Sequence, residues 1–205
     1  MRILITAGPT REPIDAVRYI GNRSSGRMGA ALADAALKAG HRLTLILGPV
    51  AVAIPGGLRR IDVETAAQMH EAVMAEFPAH DLLIMAAAVA DYRPKAFHPG
   101  KTPRRGSLTI ECEPTADILA DAGRIKRPDQ RTIGFSLEVR GDIDRAHEKL
   151  VRKKLDLIVY NPTETMNSDM IEPSLLWPDG RTETLGAFAK TGFAAVLVAK
   201  AAALF

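Results

Sequence analysis

The stretch "RILITAGPTREPIDAVRYIGNRSSGRMG", residues 2–29, sets the fold class of this 205-residue chain. It begins with an apolar run typical of a buried strand and continues through a polar loop of about twenty residues, long for a strand–helix connection. A helix follows from about Gly26, with Met28, Leu32 and Ala36 on one face, and Gly40 ends it. A strand and a glycine-rich helix start are typical of α/β folds that bind phosphate groups.

Strand and helix patterns alternate to the C-terminus, which predicts a mainly parallel sheet between helix layers. The most continuously apolar run, residues 81–92, is expected at the centre of the sheet. Thr65 is expected to cap the helix that leads to it. Helices are also expected in residues 114–125 and 142–154 and from about Gly186. The other strands are predicted in residues 42–49, 57–65, 107–112, 131–139 and 155–162, and an Asp-Gly turn predicts a C-terminal hairpin over 174–185.

Residues 93–106, "RPKAFHPGKTPRRG", interrupt this pattern with three prolines, two glycines and five basic side chains. Such a composition excludes a regular helix or a central strand. A disordered basic linker and a loop that covers a ligand both fit it. Because regular patterns resume on both sides, a flap that orders on binding is favoured.

Composition limits the function classes. A net charge of +3 suits an anionic small molecule but is too weak to argue for nucleic acid. The single cysteine, Cys112, excludes an internal disulfide or a cysteine-cluster metal site, and the five histidines lack ligand spacing. No apolar run is long enough for a membrane span, and residues 1–10 do not show the pattern expected of a signal peptide. One cytoplasmic domain over residues 1–205, without a membrane partner, is expected.

The strand ends hold the candidate ligand-binding residues, since ligands gather at the carboxyl ends of parallel strands. Ser24, Ser25 and Gly26 offer backbone amides at a helix start, although a glycine-serine cap without ligand is the alternative. Asp91 ends the central strand and could equally be an ordinary loop aspartate. The lysines at 149 and 153 share one helix face, and Phe135 fits either the core or a surface on which a base stacks.

Five motifs resemble, in order and spacing, the phosphopantothenoylcysteine synthetases of coenzyme A biosynthesis. They are "TAGPTREPIDAVRYIGNRSSGRMG", "AAAVADYRP", "PTADIL", "GFSLE" and "AHEKLVRKKLDLIVYNP", and the match continues to "MNSD" at 166–169. The resemblance implies a Rossmann-like homodimeric ligase that joins 4′-phosphopantothenate to cysteine. The family uses CTP in most bacteria or ATP in eukaryotes, with Mg²⁺, and proceeds through an acyl-nucleotidyl intermediate. Many bacterial relatives are fused behind a flavin-dependent decarboxylase, so the chain is expected to be a stand-alone synthetase or an excised domain, and a separate decarboxylase is a possible partner.

The resemblance also implies roles for individual residues. Asn22 and Lys101 match the catalytic asparagine and the flap lysine. Arg18 matches an arginine that reaches the substrate from the neighbouring subunit. The other substrate contacts implied are Ala87, Ala88 and Asp91. The implied nucleotide contacts are Ser24, Gly26, Gly29, Asp91, Lys101, Thr115, Ala116, Asp117, Ile118, Phe135, Lys149, Lys153 and Asn161. No protein metal ligand is implied.

Two departures from the family pattern leave alternatives open. The flap reads "KTPRR" where the bacterial pattern is K-x-K-K, with Pro103 at the central lysine, and "TADI" replaces "NPDI" at 115–118. A non-catalytic nucleotide- or nucleic-acid-binding dimer on the same scaffold is therefore the alternative function. An NAD(P)-linked reductase is disfavoured, because the G-x-G-x-x-G motif and its acidic ribose-binding residue are missing.

Overall fold

A computed structural model describes residues 1–165 and 168–205 of the chain. Two short 3₁₀ helices lie at Phe77–Ala79 and Thr163–Thr165. In chain order the other elements are β1 (Arg2–Ala7), β2 (Arg11–Pro13), β3 (Tyr19–Gly21), α1 (Arg27–Lys38), β4 (Arg42–Leu47), β5 (Arg59–Asp62), α2 (Ala66–Glu76), β6 (Leu82–Met85), β7 (Tyr92–Pro94), β8 (Cys112–Pro114), α3 (Ile118–Ile125), β9 (Arg131–Glu138), α4 (Ile143–Arg152), β10 (Leu157–Pro162), β11 (Met170–Ile171), β12 (Ser174–Leu176), β13 (Thr182–Thr184), β14 (Phe188–Ala189) and α5 (Lys190–Ala202).

The central sheet has eight strands in the order β13-β12-β10-β9-β6-β1-β4-β5. The six strands from β10 to β5 pair in parallel, whereas β12 and β13 are antiparallel at one edge. Numbered along the chain, the parallel strands run 3-2-1-4-5-6, which is the doubly wound Rossmann order. The strand order reverses between β1 and β6, so this pair marks the topological switch point. The predicted α/β class and mainly parallel sheet are confirmed.

Apolar clusters cover both faces of the sheet and give the fold three layers. On one face α1 and α5 bury Leu32 and Phe193 against the strands. On the other face α2, α3 and α4 bury side chains such as Met69 and Leu150. Thr65 caps α2 as predicted, and a reciprocal capping box with the side chain of Gln68 completes the cap. No helix in the described part of the chain is long and apolar enough to cross a membrane.

The predicted central strand is shorter than expected. It occupies the middle of the sheet, but β6 ends at Met85 and residues 86–91 leave the sheet. Their amides bond instead to the loop after β1: Ala88 N–H donates to Gly8 O (2.9 Å), and Ala90 N–H donates to Thr10 Oγ1 (2.9 Å). The apolar sequence therefore lines a crossing between two loops.

Two other predicted boundaries differ, whereas the predicted C-terminal hairpin is confirmed. The strand expected at 107–112 is replaced by the short β8, which pairs with β7 across the base of the flap. The hairpin over 174–185 forms, and it extends the main sheet as β12 and β13. The last helix begins at Lys190 rather than near Gly186, because Phe188 and Ala189 pair with β11.

Candidate functional site

The candidate site lies at the switch point, where the loops after β1 and β6 meet. Two buried threonines join the loops: Thr6 Oγ1 accepts from Ala87 N–H (3.2 Å), and Thr10 Oγ1 accepts from Ala90 N–H. Thr10 N–H also donates to Ala88 O (3.3 Å). The sequence reasoning did not single out either threonine, although buried hydroxyl groups require partners. These contacts fix the backbone that carries the predicted alanine pair.

Asn22 is brought directly to this segment. The loop after β1 folds into the β2–β3 hairpin, and Asn22 follows its second strand. The side-chain amide donates from Nδ2 to the carbonyl oxygen of Val89 (2.8 Å). Asn22 and Asp91 are both exposed, so their side chains are accessible to a ligand. The structure thus places the predicted substrate residues of the two loops together.

The glycines of the helix start are required by close packing. Gly26 has a φ of 76°, and a Cβ there would lie 2.5 Å from Val50 Cγ1. A Cβ on Gly29 would lie 2.2 Å from Ala7 Cβ, so this glycine lets α1 approach β1. The bond from Ala30 N–H to Gly26 O opens the helical ladder (3.0 Å), which leaves the amides of residues 27–29 at the end of the helix. That end is suited to an anion.

Basic side chains lie beside the helix start. Ser24 Oγ accepts only a long bond from Gly26 N–H (3.4 Å). Arg27 pairs with Asp169 (2.7 Å), and Lys190 donates to the carbonyl oxygen of Ser168. Burial and the nearby Arg27 charge lower the pKa of Lys190. The Arg27 charge is balanced by Asp169, so Lys190 is the cation that sequence reasoning missed here. Residues 166 and 167 of the "MNSD" motif lie outside the described residues.

The "TADI" segment packs against the same crossing. Thr115 donates from Oγ1 to Ala90 O (2.6 Å) and from its amide to Asp91 O (2.9 Å). Ala116 follows at the turn into α3, where its carbonyl accepts from the amide of Ile118. The side chain of Ile118 is 3% exposed and belongs to the core, so only its backbone is available to a nucleotide.

Two of the three lysines predicted to bind the nucleotide, Lys149 and Lys153, already have an acidic partner. Lys149 pairs with Glu138 and also donates to Ser136 Oγ (3.2 Å), while Lys153 donates to Asp117 Oδ1 (2.8 Å). Burial raises the pKa of Glu138, but the hydrogen bonds from Lys149 and Ser136 outweigh it and hold this pKa below its usual range. The pKa of Asp117 is lowered by Lys153 against the same opposing effect of burial. An anion that contacts either lysine must therefore share it with a carboxylate.

Phe135 and Asn161 occupy structural positions. Phe135, on β9 opposite Val159 of β10, is half-buried and packs against the core under α1 and α5. Asn161 Nδ2 donates to Thr165 Oγ1, and its Oδ1 accepts from the amide of Glu172 (3.2 Å). A partly open ring is available for a base, whereas the amide of Asn161 is already engaged in local structure.

The flap contacts the turn of the β2–β3 hairpin through Thr102, the residue that follows Lys101. Thr102 N–H donates to Asp15 Oδ2 (3.1 Å), and Thr102 O accepts from Arg18 Nη2 (3.3 Å). Lys101 itself is exposed. Hydrogen bonds from backbone amides, that of Val17 first, lower the pKa of the buried Asp15 to about 2. Sequence reasoning overlooked Asp15, although an aspartate two and three residues before the amides it caps is a recognisable turn signal.

Most of the coordination of a bound metal ion would have to come from the nucleotide rather than from protein side chains. Within residues 1–165 and 168–205 no group of three or more His, Cys, Asp or Glu side chains is placed to hold one. Mg²⁺ prefers phosphate oxygens and water with one or two carboxylates, so a triphosphate could supply most of its coordination.

Comparisons with known proteins agree with the motifs. Residues 1–204 match the family of the DNA/pantothenate metabolism flavoprotein C-terminal domain. The coenzyme A biosynthesis bifunctional protein CoaBC of Vibrio cholerae is 43% identical over 187 residues, 88% of this chain and 47% of the relative. The Bacillus subtilis protein of the same name is 39% identical over 208 residues, 98% of this chain and 51% of the relative.

A solved structure gives the same result. The C-terminal domain of a coenzyme A biosynthesis bifunctional protein CoaBC superposes with a TM-score of 0.84 at 38% identity, covering 97% of this chain and 92% of that one. The chain spans about half the length of the curated relatives that it matches, 47% and 51%. The extent of the family match, together with the switch-point site, leads to one conclusion: this chain belongs to the DNA/pantothenate metabolism flavoprotein C-terminal domain family.

Proposed function

We propose that the chain is a phosphopantothenate–cysteine ligase that acts in coenzyme A biosynthesis. The observation that carries the proposal is the junction at the switch point, where Asn22 bonds to the 87–91 segment beside the amide-lined start of α1. The 43% identity to a protein named for coenzyme A biosynthesis supports the same pathway. CTP is the proposed co-substrate, with ATP as the alternative, and Mg²⁺ accompanies the triphosphate.

The proposed reaction has two steps. The carboxylate of 4′-phosphopantothenate attacks the α-phosphorus of CTP, forming an acyl-cytidylate and releasing pyrophosphate. The amine of cysteine then attacks the acyl carbon, forms the amide and releases CMP. Neither step needs a protein nucleophile, so catalysis depends on positioning and charge stabilisation.

The chain's own residues divide these tasks. The amides at the start of α1 bind the triphosphate, and Lys101 stabilises the negative charge that develops on the α-phosphate oxygens in the transition state. The side-chain amide of Asn22 is held in place by its hydrogen bond to the carbonyl oxygen of Val89, and it donates a hydrogen bond to the acyl substrate. One loop therefore serves both substrates, which explains why its glycine pattern departs from standard phosphate loops.

A homodimer that buries the β2–β3 hairpin is part of the proposal. Four large apolar side chains on this hairpin, on β7 and in the flap are more than half exposed: Val17 (61%), Tyr19 (51%), Tyr92 (58%) and Phe97 (56%). Exposed apolar groups of this kind mark association surfaces. Since Arg18 lies between Val17 and Tyr19, a second copy docked there would bring Arg18 to the partner's site. The remaining partner proposed is a phosphopantothenoylcysteine decarboxylase, fused or separate, in the cytoplasm.

The test is a nucleotide-resolved ligase assay. Purified protein, phosphopantothenate, cysteine and Mg²⁺ are incubated with CTP or ATP, and pyrophosphate and phosphopantothenoylcysteine are quantified. We expect both products, with faster turnover on CTP. Without cysteine, pyrophosphate release should stop at about one equivalent of enzyme as the acyl-nucleotide remains bound. No pyrophosphate with either nucleotide would contradict the proposal, and oligonucleotide binding without turnover would favour the non-catalytic alternative.

A further inference from the structure

The β2–β3 hairpin engages both backbone polar groups of one flap residue, Thr102. We propose that Asp15 and Arg18 form a clasp on Thr102 and that the clasp positions the adjacent Lys101. Asp15 is thereby a positioning residue, and Arg18 has a role within its own subunit. The catalytic consequence rests on the proposed ligase function, whereas the clasp itself does not.

The carboxylate of Asp15 is divided between two tasks. Its Oδ1 accepts from the amides of Val17 (2.8 Å) and Arg18 (2.9 Å), which closes the hairpin turn. Its Oδ2 accepts from Arg18 Nη1 (3.2 Å) and from the amide of Thr102, 87 residues away (3.1 Å). The side chain is fully buried, so water does not replace these donors. A buried carboxylate with four donors is a strong, specific anchor.

Both backbone polar groups of Thr102 are engaged by the hairpin. Its amide bonds to Asp15 and its carbonyl to Arg18. The flap is also held upstream, since His98 N–H donates to Ile14 O (3.2 Å). Lys101 therefore lies inside a docked stretch of the flap that ends at Thr102.

Pro103 fits this arrangement. A residue that precedes proline is restricted to extended backbone conformations, so Thr102 loses less conformational entropy when it is clasped. The departure from the K-x-K-K pattern thus exchanges a charge for a stiffer flap. Asp15 and Arg18 lie in the turn of the β2–β3 hairpin, and Asn22 directly follows its second strand. The same hairpin therefore supports both Lys101, which faces the phosphates, and the side-chain amide of Asn22, which faces the acyl group.

The discriminating variant is Asp15→Asn. Asparagine has the same shape and keeps an oxygen for the turn amides of Val17 and Arg18. Its NH₂ group replaces Oδ2 and faces the amide of Thr102, donor against donor. Asp34→Asn is the matched control, because it removes the same charge from an exposed pair with Lys38 on α1.

The first measurement requires no ligand and no activity. Trypsin cleavage at the Lys101–Thr102 bond needs local opening of the clasp, so Asp15→Asn should be cleaved about 10-fold faster than wild type and Asp34→Asn at the wild-type rate. Cleavage of Asp15→Asn at the wild-type rate would overturn the clasp. If that variant does not fold, hydrogen exchange of the wild-type protein decides the question: the Thr102 amide should exchange at least about 10-fold more slowly than that of Arg104, and equal rates would refute the clasp.

The second measurement tests the link to Lys101. In the ligase assay, Asp15→Asn should lower kcat about 10-fold with a smaller change in KM for the nucleotide, because it displaces Lys101, whose charge acts in the transition state. When Asp15→Asn is combined with Lys101→Gln, kcat should fall little below that of Lys101→Gln alone, because both changes remove the same contribution of Lys101. Equal losses in both backgrounds would refute positioning of Lys101. Absence of turnover in the wild type would instead count against the ligase, and the proteolysis result would stand.

Discussion

Replacement of Gly29 by alanine tests whether the packing of α1 on β1 requires a glycine at this position. A Cβ at this position would lie 2.2 Å from the Cβ of Ala7 and 3.0 Å from its Cα. Ordinary carbon–carbon contacts are about 3.5–4.0 Å, so α1 would have to retreat by more than ~1 Å from β1. Both contacts involve atoms fixed to the backbone, and no side-chain rotation relieves them.

Two opposing effects set the magnitude. Overpacking of a helix against a strand costs about 2–3 kcal/mol. Alanine in place of glycine within a helix stabilises the folded state by about 0.8–1 kcal/mol. The net loss in the free energy of unfolding is therefore about 1–2 kcal/mol, a fall in Tm of about 2–8 °C for a chain of this size.

Gly192→Ala provides the matched control within α5. There a Cβ would meet only Phe188 Cδ1, at an ordinary contact distance of 3.9 Å. Alanine is the better helix former and causes no overpacking here, so the free energy of unfolding of Gly192→Ala should rise by up to about 1 kcal/mol. Urea and thermal denaturation of both variants give the comparison. A Gly29→Ala protein as stable as wild type, or as stabilised as Gly192→Ala, would refute the reasoning.

Four further predictions concern the site and the surface. Asn22→Asp should let acyl-nucleotide accumulate, detected by mass spectrometry, because a carboxylate cannot donate; normal turnover would disprove the role. The pKa of Asp15 is about 2 in the folded protein, below its ordinary value of 3.8, so its stabilising contribution is complete above pH 3.8 and is lost as the pH falls toward 2. Asp15→Asn should therefore make the free energy of unfolding less dependent on pH between 3.8 and 2; an unaltered acid-unfolding profile would contradict this prediction. Glu138→Gln should cost about 1–2 kcal/mol in urea denaturation by leaving half-exposed Lys149 without its carboxylate, and a neutral result would argue against the pair. Val17→Asp should yield monomers in light scattering; a dimer unaffected by the change would place the interface elsewhere.

The meeting place of the candidate site could be predicted in part from the sequence, because Asn22 and Asp91 lie in segments that follow recognisable strands. The helix start at Gly26, the cap at Thr65 and the hairpin over 174–185 are local features, decided by turn and cap chemistry within a few residues. The length of β6 could not be read in this way. The run at 81–92 is apolar throughout, yet its second half bonds to Gly8 and Thr10, and no local pattern records those partners.

The roles of charged side chains were the least predictable part. The spacing of Lys149 and Lys153 on one helix face is a local fact, but their partners Glu138 and Asp117 come from other elements. Likewise, the core position of Ile118 follows from how α3 lies on the sheet.

The sequence by itself determined the alternation of strands and helices, the ordered motifs and thus the family, since hydrophobic period and turn residues act over short distances. Only the tertiary structure decided the 3-2-1-4-5-6 strand order, the meeting of the loops after β1 and β6, and the clasp of Asp15 on a residue 87 positions away. The physical reason is that strand pairing and buried hydrogen bonds join groups remote along the chain. Their partners are selected by the packing of the whole fold, which no local pattern encodes.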